Sequence, residues 1–288
     1  MKKLIPFITA IVMILSSCSK AEEFVYIDDE MDEEVLTPIT VSDESGNETV
    51  LNSGTTVGVY IIDENGEVTL QQVEVDENGN AILPASDQGS TMVAYAPYQE
   101  DWGEDAVVER PIFTVSEDQS DQEGLQASDL MMGTITTSAK TRARQTATFK
   151  HMMAKIAIYV VDETGQADMS KMGVKLMDVS TSVSVDLIHV TTTTIDNMRT
   201  DIEMNAEQST DWRLSALAIV APQTLKEGKT LYTVNIQGNK LRFPAPRAIQ
   251  LEGGKTYTIS MRLTDEGLIP DGNYVTDWDD EGENPLIL

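Results

Sequence analysis

The chain has 288 residues and a single cysteine, Cys18, so no disulfide can form within it. Its fold must rest on packing and backbone hydrogen bonding. Histidine is almost as scarce. His151 and His189 are the only two, and neither stands in an H-x-x-x-H or H-x-x-E spacing, so no histidine-built zinc site is expected. Basic residues are few: 20 Lys and Arg against 48 Asp and Glu, a formal net charge of −28. A surface of that sign repels nucleic-acid phosphates and anionic lipid headgroups alike. The chain also lacks a G-x-S-x-G elbow, a phosphate-binding P-loop and a G-x-G-x-x-G turn. With 48 carboxylates, two will lie close together without catalysis, so proximity of two acids does not mark a glycosidase pair. Asp118, Asp121 and Glu123, or Asp63 with Asn65 and Asp76 with Asn78, could offer oxygens to Ca²⁺, but none has the EF-hand spacing. Turn and cap roles account for them, and neither an enzyme nor a metal site is expected.

What is present begins at the N-terminus. Lys2 and Lys3 precede an apolar run from Leu4 to Leu15, the length of a signal-peptide core and too short to span a bilayer. Leu15-Ser16-Ser17-Cys18 follows and resembles the lipobox of bacterial lipoproteins. The resemblance implies a signal peptide over 1–17, cleavage between Ser17 and Cys18, and lipid on the Cys18 thiol. That covalent lipid is the only cofactor expected. Such a chain is anchored to a membrane without crossing it. The mature chain would have 271 residues and lose Lys2 and Lys3, leaving 18 basic residues against 48 acidic ones, a net charge near −30. Residues 18–34 read as an acidic tether. Ser19-Lys20-Ala21-Glu22-Glu23 resembles the short acidic signals that send some Gram-negative lipoproteins to the outer face of the outer membrane.

From Val35 the chain reads as strands separated by turns. Val57–Ile62 and Val68–Val75 are rich in β-branched residues. They run into Asp63-Glu64-Asn65-Gly66 and Asp76-Glu77-Asn78-Gly79, and Asn-Gly between alternating apolar runs predicts type I′ hairpins. Thr91–Pro97 and Ile112–Val115 continue the pattern, and one helical turn is expected near Leu125. In the second half, strands are expected over 149–161, 174–179, 183–192, 214–221, 231–237 and 255–263. Strands every 8–15 residues with few helical stretches predict β-sandwiches. No acidic residue occurs from Leu130 to Val161, and Lys140, Arg142 and Arg144 fall inside that window. This shift places a boundary between an N-terminal β-sandwich domain at 35–146 and a C-terminal one at 147–288.

Several segments together resemble the fimbrillin/Mfa-like family, the subunits of type V pili and related surface lipoproteins of Gram-negative anaerobes. They are Val57-Gly58-Val59-Tyr60, Ala94-Tyr95-Ala96-Pro97-Tyr98, Asp118-Gln119-Ser120-Asp121 and Ser128-Asp129-Leu130-Met131. Phe149 to Ile156, Ile219-Val220-Ala221-Pro222-Gln223, Gly254 to Ile259 and Trp278 complete the series. The resemblance implies an all-β fold of two tandem transthyretin-like β-sandwiches and assembly by β-strand exchange with other fimbrillin-like subunits. A strand from a neighbour fills a groove that lacks one. In stalk subunits of the family a trypsin-like protease removes the N-terminal strand to open that groove.

The strand implicated here is Val35–Val41, with Val35, Leu36, Ile39 and Val41 as its apolar residues. Between Lys20 and Arg110 there is no Lys or Arg, so an arginine-specific cut within or just after the strand cannot release it; either another protease serves, or the strand stays and the groove stays closed. A retained strand suits an anchor, tip or accessory lipoprotein with a role in adhesion. The apolar end, Leu286, Ile287 and Leu288, is a candidate donor strand for a partner or a tail that folds back on its own domain. The rival reading is a surface glycan-binding lipoprotein of a polysaccharide-uptake system. Its contact residue would be Trp102, which Gln99-Glu100-Asp101-Trp102-Gly103 places at an exposed loop tip.

Overall fold

Strands form where the β-branched and aromatic runs predict them, and both faces are buried over Val57–Tyr60 and Met92–Ala96. The computed structural model describes residues 36–42, 46, 48–84, 89–137, 145–209 and 213–278. Ser17, Cys18, Val35, the basic stretch 138–144, Trp212 and Leu286–Leu288 lie outside the described residues. The described residues belong to one compact unit, 35–288.

The unit opens with β1 (Leu36–Ser42), β2 (Glu48–Val50), β3 (Thr56–Ile62), β4 (Val68–Glu74), β5 (Asn80–Ile82) and β6 (Thr91–Ala96). A short helix α1 (Ala106–Glu109), β7 (Ile112–Thr114), helix α2 (Gln122–Ala127), β8 (Met131–Thr137) and β9 (Gln145–His151) follow. Helix α2 is the helical turn expected near Leu125. The Asp121 carboxylate caps it, accepting the Gly124 N–H at 2.8 Å. All these strands except β7 make one sheet in the order β2-β1-β9-β8-β6-β3-β4, with β5 also paired to β1.

Successive residues on these strands feed different cores, as the period of two requires. Val57, Val59, Met92, Ala94, Ala96, Met131, Ile135, Ala147 and Phe149 enter one cluster with Ile39 and Val41. Tyr60, Val93, Tyr95 and Met132 enter another, which continues into the second half of the chain. Burial on both faces explains why these segments read as apolar runs.

The second half holds β10 (Ala154–Asp162), β11 (Gly173–Ser180), β12 (Ser182–Asp186), β13 (Thr191–Thr194), β14 (Arg199–Glu203), β15 (Asn205–Ser209) and β16 (Arg213–Val220). It ends with β17 (Gln223–Leu225), β18 (Thr230–Ile236), β19 (Asn239–Pro244), β20 (Ile249–Leu251), β21 (Lys255–Thr264) and β22 (Gly267–Asp277). A five-stranded sheet, β15-β16-β10-β21-β22, shares a core with a four-stranded sheet, β14-β11-β18-β19. Smaller sheets pair β7 with the β12–β13 hairpin, and β17 with β20.

The all-β expectation holds, and several local readings change. The segment 149–161 is two strands in different sheets. The chain leaves the first sheet at His151 and enters the five-stranded one at Ala154, while the Met152 N–H bonds back to Leu130 O at 2.8 Å. The expected boundary at 146/147 thus falls inside β9. The turn at Asp63–Gly66 does join a hairpin, β3 to β4, but only Gly66 has positive φ, +83°. A type I′ turn would need Asn65 there too. Asp63 Oδ1 instead accepts the N–H groups of Asn65 and Glu67, at 2.8 and 2.7 Å, and shapes the turn itself. The turn at Asp76–Gly79 joins no hairpin, because β5 leaves β4 and pairs with β1.

One buried side chain ties the segment before α2 to the five-stranded sheet. Gln119 is fully buried. Its Oε1 accepts the Ile219 N–H at 2.7 Å, and its Nε2 donates to Ile219 O at 2.8 Å and Ser116 O at 3.0 Å. Gln223 does the same for Ser180, 2.9 Å to the N–H and 3.0 Å to the C=O. Gln119→Leu would strand the Ile219 N–H and C=O without partners, at about 2–4 kcal/mol. A urea titration should show a lower midpoint with an unchanged slope.

Candidate functional site

The expected exchange element, β1, occupies an inner position of the first sheet. On one side it runs parallel to β9, with Ile39 opposite Ala147, Thr40 opposite Thr148 and Val41 opposite Phe149. This is the one parallel pairing described in that sheet. On the other side its first half pairs with β5 and its second half with β2. The Ile39 N–H donates to Gly79 O and its C=O accepts from the Leu51 N–H, both at 2.9 Å.

Side chains alternate as sharply. Thr37, Ile39 and Val41 are 2%, 0% and 3% exposed, while Pro38 faces solvent. Ile39 and Val41 sit in the smaller core against Val57, Val75, Met92, Ile135 and Phe149. Burying each such side chain stabilises by about 1.5–3 kcal/mol. Without β1, the backbone edges of β9, β5 and β2 and the apolar lining between them would be open together. That is the shape of a groove that accepts a strand. Here the chain's own strand fills it.

Trp102 is not at an exposed tip. It is 4% exposed, and its ring lies 4.7 Å from that of Tyr95, which stacks on Tyr60 at 5.8 Å and Tyr98 at 6.2 Å. The polar residues around Trp102 suggested a surface loop. The loop instead folds its ring over the inner face of β3 and β6, and the Tyr60 hydroxyl donates to Gly103 O at 3.1 Å to hold it there. Burial pushes the Tyr60 phenol up to about 12 and the Tyr95 phenol higher still. Trp278 is also buried, at 5%. A sugar platform therefore has no exposed tryptophan among the described residues.

Trp278 closes β22 at the junction of the two sheet systems. Its ring stacks on His151 at 4.2 Å, Lys155 Nζ lies 4.6 Å over the ring, and the same ammonium donates to Trp278 O at 2.8 Å. His151 Nδ1 meets Asp129 Oδ1 at 2.8 Å. His189 is a surface residue beside Asp186, 2.9 Å away. Among the described residues no three His, Cys, Asp or Glu side chains gather as a metal site. The loop carboxylates bond backbone instead, as Asp76 does with the Asn78 and Asn80 N–H groups at 2.8 Å. No described helix is long and apolar enough to cross a membrane.

Sequence reasoning located β1 but missed what holds it, because β5 and β9 are distant in the chain. It also missed the buried clamps of Gln119 and Gln223. Both residues belong to segments that carry the family resemblance, which was the available signal.

A fimbrillin-like family model matches residues 40–278. The fold is similar to that of a candidate cell adhesion protein from Bacteroides ovatus, at 14% identity and a TM-score of 0.62, covering 85% of this chain and 98% of that one. A candidate cell adhesion protein from Bacteroides uniformis is similar at 17% identity and a TM-score of 0.59, covering 84% and 99%. A fimbrial protein from Bacteroides ovatus is similar at 13% identity and a TM-score of 0.50, covering 81% of this chain and 49% of that one. No curated protein matches the chain. At these identities the structural likeness speaks for the fold. The family match speaks for more, since it runs from the middle of β1 to Trp278, and the protein belongs to the fimbrillin-like family.

Proposed function

We propose that this chain is a structural, non-enzymatic subunit of a type V-like pilus, held on the outer membrane by lipid on Cys18 and serving in adhesion as an anchor, tip or accessory protein. The observation that carries this reading is the state of β1. It is hydrogen-bonded on both edges, and Ile39 and Val41 are buried beneath it. Nothing between Lys20 and Arg110 offers a trypsin-like protease a Lys or Arg at which to release it. A subunit that keeps this strand keeps its own groove filled and does not accept a donor strand there. It can end or anchor a fibre of related subunits without being extended in that direction. The strong negative charge suits a surface that faces the medium.

The test is the N-terminus and intact mass of the protein isolated from cells. The expected product starts at an acylated Cys18, and labelled palmitate enters the wild type but not Cys18→Ala. A start beyond Val41 would mean that β1 is removed for polymerisation and would overturn the retained-strand role. Co-purification with related subunits in SDS-resistant ladders is expected from fibre membership.

A further inference from the structure

The four-stranded sheet turns Leu176, Tyr232 and Val234 into the core. Lys175, Thr233 and Arg242 lie opposite one another on β11, β18 and β19, so they share the outer face. Lys240, opposite Asn235, follows on the same face, and both Lys240 and Arg242 are exposed. At one end of this face Met177, in contact with the Thr233 hydroxyl, lines a cavity of about 450 Å³. Asp178, Asp196, Lys226 and Lys229 also line it, with the apolar Leu225 and Leu231.

The charges here go against the rest of the molecule, which stands at −28. Lys171, Lys175, Arg199, Lys255 and Arg262 each pair with a carboxylate. Lys226, Lys229, Lys240, Arg242 and Arg247 form no ion pair among the described residues, and segment 226–247 holds one carboxylate, Glu227. Lys226 and Lys229 bracket a turn closed by the Lys229 N–H on Lys226 O at 3.3 Å, and both border the cavity. Asp196 is unpaired as well, so the cavity's acids and lysines do not close on each other. The Asp178 rim is fixed. It sits at a bulge in β11 with φ +51°, a conformation Asp tolerates. Arg199 holds it there, with Nε 3.2 Å from Asp178 Oδ1, Nη1 donating to Ser180 Oγ at 2.7 Å and Nη2 to Asp178 O.

Unpaired lysines beside a cavity draw an anion, and a protein this acidic repels a densely charged one. The fitting ligand carries an isolated negative charge. Its other groups must suit the remaining walls: hydroxyls to donate to Asp178 and Asp196, and a C–H face to rest on Leu225 and Leu231. A sugar acid has all three, and the volume is that of a small-ligand site. We infer that this cavity binds a carboxylated sugar unit of an otherwise neutral glycan, with its carboxylate on Lys226 and Lys229. Arg242 and Lys240, on the adjoining face, steer it in. The site needs no exposed tryptophan and no role in polysaccharide uptake. It is independent of acylation at Cys18 and of fibre membership, so neither result above decides it.

Calorimetric titration of the mature chain carrying Cys18→Ser tests it. The probes are trisaccharides ending in glucuronate, galacturonate or sialic acid, each beside its neutral counterpart. At least one acidic probe should bind about tenfold tighter than its neutral partner. Lys226→Gln/Lys229→Gln, two exposed changes on a turn, should remove that preference and leave the melting temperature in place. Asp196→Ala should weaken the acidic and neutral probes alike, and Lys150→Gln, an exposed cation on β9, should change nothing. Equal affinity for every acidic and neutral pair would overturn the inference, as would no binding by any probe. A preference that survives the paired lysine change would place the site elsewhere and overturn it too. So would an oligoglutamate peptide that binds as tightly as the best sugar acid, since the surface would then read charge alone.

Discussion

Gly133→Ala is expected to lower the melting temperature by about 8–16 °C. Gly133 lies in β8, opposite Phe149 of β9 on one side and Ala94 of β6 on the other. A Cβ at this position would overlap the Thr148 carbonyl oxygen and stand 2.8 Å from its carbon and 3.0 Å from the Phe149 Cα. These are backbone atoms, so no rotamer change relieves the overlap, and β8 and β9 must part. That pairing adjoins the one that holds β1, and Phe149 lies in the same core as Ile39 and Val41. A loss of about 4 kcal/mol, typical of severe buried clashes, corresponds to roughly 8–16 °C for a domain of this size. Gly103→Ala is the control: nothing lies within 4 Å of its Cβ position, and it should melt like the wild type. A Gly133→Ala protein melting within about 2 °C of wild type would contradict the close approach of β8 and β9.

Trp102→Ala is expected to cost about 3–5 kcal/mol, because it empties a site closed by Tyr95 and Tyr60. Chemical denaturation should show the loss directly, with a midpoint shift and little change in slope. The exposed-tip reading of this residue makes the opposite prediction: wild-type stability and a lost polysaccharide contact. That outcome would return the glycan-binding alternative to consideration. The expected outcome leaves Trp102 as the lid of the inner face of β3 and β6, with the Tyr60 hydroxyl donating to Gly103 O next to it.

Much of the strand content was legible in the chain. Val57–Ile62, Thr91–Pro97, Val174–Val179 and Lys255–Leu263 all lie on or within a residue or two of strands. Their β-branched composition serves any extended, buried segment regardless of its partners. The misses have specific causes. The segment 149–161 reads as one strand because residue pattern does not record a change of sheet, and here Met152 and Met153 carry the crossing. Positions 183–192 read as one strand because Leu187, Ile188 and Val190 look apolar, yet the chain turns there between β12 and β13. The short edge strands β2, β14 and β19 are too polar or too brief to stand out. Gln119 and Gln223 look like loop residues, since a glutamine that mimics a backbone partner has no periodic signature.

The sequence by itself determined the all-β class, the dependence on packing without disulfides, and the absence of a basic cleavage point between Lys20 and Arg110. These follow from composition and from properties of neighbouring residues. Only the tertiary structure decided that β1 lies between β9 and the pair β5 and β2, that Trp102 is interior, and that Lys226 and Lys229 share a cavity with Asp178 and Asp196. Each depends on residues brought together from distant parts of the chain, Ile39 with Ala147 or Asp178 with Lys226. A strand's own residues specify that it will be extended and which faces are apolar. What covers those faces is set by the rest of the fold.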